Sequence, residues 1–277
     1  MATTLLFSID LEDVRDSVKN GEKFRERVPA NTEKYLEFLE KKNAIATFFV
    51  VGSIAKRYPS LIREIATLGH EIACHSNTHI QLDKHDPRSF KEDLLKNIDN
   101  IHNACQARIK GFRAPTFSLT EKTKWAYDVL NELGFTYSSS VLPAGNPLYG
   151  WPEFGERVKK INDGLWELPI TLYNHKFLKV PVMGGVYFRI IPYSFIKNGI
   201  AKIAKNNRPL LSYFHPYDID TEQERFMHPD IGNNPFYNHL LFMNRGKVFK
   251  RMEKLNTAFK FEFKTYSDYV ETDLNKK

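Results

Sequence analysis

The chain has 277 residues, with 40 Lys plus Arg against 33 Asp plus Glu for a formal charge of +7, and is 42% hydrophobic, 26% charged and 13% aromatic. That length can bury a large core in one or two domains, and the composition excludes disordered, collagen-like and repeat classes. Two cysteines, Cys74 and Cys105, exclude a disulfide framework, and the longest nearly apolar run, the 12 residues Ala44 to Ala55, is short of the ~20 that a membrane-spanning helix needs.

In chain order, Thr4 to Ile9 is an apolar run ending in acids and predicts a buried first strand. Asn31 to Lys42 places Tyr35, Phe38 and Leu39 at the i, i+3, i+4 spacing of an amphipathic helix, with Asn31 or Thr32 as its cap. Ala44 to Val51 is β-rich, Ser60 to Leu68 is helical and stops at Gly69, and Glu71 to Cys74 is a short strand. A long helix is expected from Asp86-Pro87 to Ala107, then a strand near Ile109 to Phe112 and a helix from Thr120 to Leu133. From Val141 to Val186 the texture turns to Pro, Gly, Asn and aromatics, with one strand candidate at Leu165 to Ile170, and reads as elaborated loops. Periodicity returns in a helix over Tyr193 to Lys205 and a strand over Pro209 to Phe214. A further helix, capped by Asn234 with Pro235 at its first position, runs to about Leu255, and a last strand lies near Phe259 to Thr265. Repeated strand then helix predicts an α/β fold with a parallel sheet, open or closed into a barrel. One domain over 1–277 is expected.

Four clusters could carry chemistry, and each follows a predicted strand, where ligands of parallel sheets bind. Ser8-Ile9-Asp10-Leu11-Glu12-Asp13 places three carboxylates within four positions, and Asp10 and Glu12 share a side if the strand continues. Its alternative is a solvated acidic turn. His75-Ser76-Asn77-Thr78-His79 sets two imidazoles at i and i+4, which converge on one face of a helical turn as metal ligands do. Cys74, just before it, reads as a buried thiol facing the other way. Phe112-Arg113-Ala114-Pro115-Thr116-Phe117 presents a planar fork to a carboxylate, and the backbone after it can donate to an oxyanion. Leu211 to Pro216 delivers one histidine, His215, from a hydrophobic strand. Taken singly, the arginine also suits a surface turn and the histidine a rim position.

Together, in this order, the clusters resemble the polysaccharide deacetylases of carbohydrate esterase family 4, the NodB-homology fold. The resemblance runs from Leu5 to about Phe263 and is strongest in His75-Ser76-Asn77-Thr78-His79. It is closest to the branch with S-[IV]-D-x-E-D and RAP-[ST]-F-S motifs, which is linked to surface glycan biosynthesis. It continues through Ser138-Ser139-Ser140, Glu167-Leu168-Pro169, Gly184 to Arg189 and His215-Pro216-Tyr217-Asp218. The resemblance implies an irregular (β/α)7-type barrel with a core over about 4–220 and a C-terminal helical extension and last strand over about 227–270. The commoner motif has two adjacent aspartates, whereas Leu11 follows Asp10 here; this implies Asp10 as base and Glu12 or Asp13 as the acidic ligand beside His75 and His79.

A metal-dependent deacetylase acting on an N-acetyl or, failing that, O-acetyl group is the function so implied. The cofactor would be zinc, with Co, Ni, Mn or Fe also suited to these ligands. His215 would be the general acid, and Arg113 would hold Asp10 with Glu167 as a further partner. Thr116, Phe117, Trp151 and Tyr217 would touch substrate, with Tyr149, Tyr187 and Phe188 further candidates for stacking on sugar. Another C–N hydrolase acting on a cyclic amide or ureide, and a glycan-binding module without catalysis, are the alternatives. The absence of Lys or Arg before the first apolar stretch, which Asp10 interrupts, predicts a cytoplasmic chain without a secretory leader. Dispersed basic pairs such as Lys41-Lys42 and Lys159-Lys160 point away from nucleic acid and are compatible with a nucleotide-sugar, a lipid-linked glycan or peripheral association with a membrane. Oligomeric state is not indicated.

Overall fold

A computed structural model describes residues 3–145, 148–175, 178–228, 231 and 233–276. Thr3–Leu6 (β1) and Ser8–Leu11 (β2) are one apolar segment interrupted at Phe7. Val28–Lys41 (α1), Thr47–Val50 (β3), Gly52–Arg57 (α2), Pro59–Thr67 (α3), Glu71–Cys74 (β4), Pro87–Cys105 (α4), Gly111–Phe112 (β5), Ala126–Glu132 (α5) and Tyr137–Ser138 (β6) continue the alternation. Lys159–Lys160 (β7), Trp166–Glu167 (β8), Leu172–His175 (β9) and Leu178–Pro181 (β10) then lead to Gly185–Ile190 (α6), Tyr193–Lys205 (α7) and Leu210–Leu211 (β11). Pro235–Phe242 (α8), Val248–Phe259 (α9), Phe261–Lys264 (β12) and Tyr266–Tyr269 (α10) complete the chain.

The sheet is rich in parallel pairs, in the order β2-β3-β4-β5-β6-β8-β7, with only β7 antiparallel to its neighbour. A second parallel ladder, β11-β1-β12, joins the first because β1 runs directly into β2. Parallel strands are covered on both faces, so near-continuous apolar runs such as Thr47–Val50 are buried throughout. Leu6, Phe49, Ala73, Tyr137, Leu168 and Leu211 gather around Tyr266 in one cluster. The larger core packs α1, α2, α3, α7 and α9 against the other side of the strands.

Element types follow the sequence closely, and the departures have local causes. α1 starts at Val28, one turn before the expected cap, with Pro29 in its first turn. Asn31 and Thr32 lie inside the helix, where Asn31 donates to Asp220 at 3.0 Å and Thr32 to the Val28 carbonyl at 2.7 Å. Asn234 does cap α8, accepting from the backbone of Phe236 and Tyr237. The expected single C-terminal helix instead breaks into α8 and α9 at Asn244, which adopts φ 57°. The segment read as irregular loops also holds β7 and an antiparallel β9/β10 hairpin; residues 146, 147, 176 and 177 within it lie outside the described residues. Cys74 and Cys105 are free thiols, Cys74 fully buried. Among the described residues, no helix is long and apolar enough to cross a membrane.

Gly111 shows how tightly the strands pack: a Cβ there would lie 1.8 Å from Tyr137 Cζ. Tyr137 is fully buried and donates to Glu71 at 2.9 Å, so its ring has nowhere to go. Gly111→Ala is expected to destabilise the fold by about 1–3 kcal/mol, read as a lowered urea midpoint; an unchanged midpoint would contradict this packing.

Candidate active site

Register sets the site. Leu11, Val50, Cys74 and Phe112 are aligned across four neighbouring parallel strands, so Glu12, His75 and Arg113, each the next residue, emerge at the same sheet end. The Ile9–Phe214 bridge brings His215 to that end beside Asp10.

Arg113 is completely buried, and every N–H of its fork has an acceptor. Nη1 donates to Asp10 Oδ1 at 2.5 Å and Ser8 Oγ at 2.8 Å, Nη2 to Tyr266 Oη at 2.8 Å and Ser139 Oγ at 3.3 Å, and Nε to the Ser139 carbonyl at 3.1 Å. The guanidinium also lies 3.9 Å from the centre of the Phe49 ring. Burial opposes its charge, but Asp10 and the hydrogen bonds more than compensate, so its pKa is raised. Glu167 is not part of this network: its carboxylate accepts from the backbone N–H groups of Ser140 and Val141 at 2.8 and 3.0 Å, because β8 lies beside β6. The expected Arg113–Glu167 contact is therefore corrected.

Glu12, His75 and His79 bring one donor atom each to within 4.8 Å of one another. Glu12 Oε2 pairs with His79 Nε2 and lies 4.0 Å from His75 Nε2. His75 Nδ1 donates to the Arg113 carbonyl at 2.8 Å, which leaves Nε2 as the lone-pair nitrogen facing Glu12. Burial lowers the His75 pKa to about 4, so the ring is neutral, the state a metal ligand requires. Burial also opposes charge on Glu12, yet the surrounding imidazoles hold its carboxyl well below the ordinary carboxylate range.

Asp13 does not join this group. Its carboxylate is held by Arg15 and Arg57 and caps the short helical turn after β2, so the structure separates the two acids that the sequence left open. The histidine pair also differs from expectation: it sits on a loop, not a helical turn, with Ser76 at φ 60° and His79 at φ 57°. A cavity of about 260 Å³ opens beside Glu12 and His79, lined also by Ser53, Arg57, Thr78 and His228.

His215 Nδ1 donates to Asp218 Oδ2 at 2.8 Å, and Asp218 Oδ1 lies 3.0 Å from Arg189 Nε in a fully buried ion pair. The other ring nitrogen, Nε2, lies 3.8 Å from Glu12 and 4.0 Å from Asp10. Burial disfavours the imidazolium, but Asp218, Glu12 and Asp10 outweigh it and raise the His215 pKa to about 9. The ring of Tyr217 stacks on His215 at 4.6 Å, and its hydroxyl donates to Glu12 Oε1 at 3.2 Å.

Of the other expected contacts, Phe117 packs edge-on against Tyr213 and lies 5.6 Å from Arg113. Thr116 and Phe117 both have positive φ, and the Phe117 N–H donates to the Ala114 carbonyl. Trp151 packs on Phe154 and on the apolar cluster around Phe112, and Phe188 is fully buried against Phe214. Ser8, Ser139, Tyr266 and Arg189 join the site without any sign of a role in the sequence around them. Asp218 joins it too, and its i, i+3 spacing from His215 was a usable signal; the others are joined only by folding.

Residues 20–138 match the family described as polysaccharide deacetylase, and residues 139–271 match the domain of unknown function DUF3473. A stretch of 88 residues is 38% identical to a chitooligosaccharide deacetylase of Sinorhizobium fredii, covering 31% of this chain and 41% of that relative, so the chain spans less than half the length of this curated relative. Among solved structures, the Puue allantoinase is similar at a TM-score of 0.66 and 14% identity, covering 98% of this chain and 91% of that one. A CE4-family pseudoenzyme from Bacillus anthracis is similar at 0.52 and 12%, covering 96% and 65%. These two likenesses concern the fold alone.

The His215–Asp218 pair predicts a pH dependence of stability. A histidine raised from ~6.5 to about 9 contributes stability that is full below pH ~6.5 and is lost as pH rises through 9, by up to about 3 kcal/mol. With divalent ions chelated, urea midpoints between pH 6 and 9.5 should fall for the native chain and vary less for Asp218→Asn. Parallel curves would rule the pair out as the cause.

Proposed function

We infer that this chain, whose residues 20–138 match polysaccharide deacetylases and residues 139–271 match DUF3473, is a metal-dependent deacetylase removing an N-acetyl group, or less favourably an O-acetyl group, from a sugar or glycan intermediate. The observation that carries this reading is the convergence of Glu12, His75 and His79 with the free oxygen of Asp10 and Nε2 of His215. One carboxylate and two imidazoles fit a catalytic zinc-type site, which takes three protein ligands and keeps a further position open. The neutral, backbone-oriented His75 fits the same demand. When bound, a divalent ion there supplies a Lewis acid that polarises an acetyl carbonyl and acidifies water.

This chain's residues supply the proton transfers. Asp10 is held at Oδ1 by Arg113, which leaves Oδ2 to take a proton from the attacking water. His215 carries a proton on Nε2; Asp218, with Glu12 and Asp10, favours that charged form, and Arg189 acts behind it by keeping Asp218 ionised. His215 donates this proton to the departing sugar nitrogen, so amide and water become amine and acetate. The Phe117 N–H is engaged in a turn, which leaves the Thr116 N–H as the candidate oxyanion donor. Tyr217 lines the site through its contact with Glu12 and its stacking on His215, which makes it the better candidate than Trp151 for contact with sugar.

The likeness to an allantoinase keeps a cyclic amide or ureide hydrolase as a second reading, and the likeness to a pseudoenzyme keeps a glycan-binding role. The set of Asp10, Glu12, His75, His79 and His215 favours catalysis over simple binding. A biosynthetic role in surface polysaccharide, a nucleotide-sugar or lipid-linked substrate and a cytoplasmic setting belong to the same proposal. So do the irregular barrel and the single domain, supported by the cluster drawn from successive strands around Tyr266 and by the pairing of β12 with β1.

The test is acetate release from N-acetylated nucleotide sugars and lipid-linked glycans, with and without chelator, beside a screen for ring opening of small heterocycles. Acetate release should require the ion, and Asp10→Asn and His215→Ala should each lower it by ~10² to 10⁴, the first also at a cost in stability because it strips the buried Arg113 of its countercharge. Near-native turnover by either variant would defeat its assigned role. Glu12→Gln should weaken divalent-ion binding and Asp13→Asn should not; the reverse result would exchange the two acids.

A further inference from the structure

We propose that a polar stripe on the buried face of α4, formed by Asp93, Asn97 and Asn100, is a positioning device that sets the divalent-ion affinity of the histidine loop. The proposal rests on reading Glu12, His75 and His79 as ion ligands.

The stripe is anomalous for a core-facing helix. Asp93 and Asn97 are buried beside the apolar residues Phe90, Leu94, Ile101 and Ala104, and burying a polar group costs free energy unless it is hydrogen-bonded. At i, i+4 and i+7 the three share one helix face, and all three reach the segment between the two histidines. Asp93 Oδ2 accepts the Asn77 N–H at 2.7 Å, and Oδ1 accepts the Thr78 hydroxyl at 3.0 Å. Asn97 Nδ2 donates to the Ser76 carbonyl at 2.5 Å and the Val50 carbonyl at 2.9 Å, tying the loop to the end of β3. Asn100 Nδ2 donates to Asn77 Oδ1 at 2.9 Å.

The loop needs such support. Ser76 and His79 both adopt left-handed backbone, which costs on the order of 1–3 kcal/mol per non-glycine residue and persists only where surroundings over-determine it. From the opposite side, the N–H groups of Gly52 and Ser53 donate to the Ser76 and Asn77 carbonyls at 3.0 Å each. Gly52 permits that approach, because a Cβ there would lie 2.3 Å from Asn77 Oδ1. Ser76 Oγ accepts the His79 N–H at 2.9 Å and closes the turn. Asp93 thus fixes Asn77 and Thr78, two of the three residues between the ligands, without touching either imidazole.

The experiment uses the full chain stripped of metal, titrated with zinc against a chromophoric chelator and with cobalt to read its visible absorption. Asp93→Asn and Thr78→Val, which removes one hydrogen bond to Asp93 at an exposed side chain, should weaken binding, the former by ~10- to 100-fold as for other outer-shell partners. The cobalt band should shift in both. Asp86→Ala removes the cap at the exposed start of the same helix and serves as the control: it should lower stability and leave affinity unchanged. Native affinity in both variants, or an equal loss in the control, would overturn the positioning role. Should Asp93→Asn fail to fold, Thr78→Val decides alone. If the native chain binds no divalent ion, or binding survives Glu12→Gln combined with His79→Ala, the ion-site reading fails and this proposal with it.

Discussion

A guanidinium with no exposure to water is tolerable only if its charge is paired and its five N–H groups are all accepted, and Arg113 meets both conditions with groups from three separate segments. Ser8 and Asp10 come from the first strand pair, Ser139 follows β6, Tyr266 lies in α10, and Phe49 of β3 supplies a ring face. Its backbone carbonyl also orients His75. One buried cation therefore links the closing of the fold to the placement of both the acid and the first histidine.

Around that cation, similar side chains are driven to different states. His75 and His215 are both enclosed, yet burial prevails at His75, held near 4, while carboxylates prevail at His215, raised to about 9. The difference lies in what each Nδ1 faces: a neutral carbonyl for His75, and an aspartate backed by a buried arginine for His215. One imidazole is thereby suited to accept a cation and the other to deliver a proton, the separation of roles that acid–base chemistry at neutral pH requires. Asp10 and Asp13 part in orientation, Asp10 turning to Arg113 and Asp13 to Arg15 and Arg57.

The scaffold alone does not choose among reactions. Its likeness extends to an allantoinase and to a pseudoenzyme at low identity, so chemistry is set by particular atoms at the sheet end rather than by topology. Those atoms lie at the carboxyl ends of parallel strands, where loops can vary without disturbing the ladder beneath.

Local chemistry makes much of this legible without coordinates. Apolar runs and helical spacing mark β4, α3, α4 and α7 within a residue or two, and Asn234-Pro235 marks the start of α8, because burial period and capping are properties of neighbouring residues. The grouping of His75 and His79 is visible for the same reason, although its left-handed loop is not. What only tertiary structure decided is which distant polar groups meet: Glu12 rather than Asp13 beside the imidazoles, Tyr266 rather than Glu167 beside Arg113, and Asn31 inside a helix rather than at its cap. A carboxylate or amide reads alike on a line of residues whether it faces water or a buried partner. Its state is set by desolvation and by the charge brought next to it, and both exist only once the strands are in register.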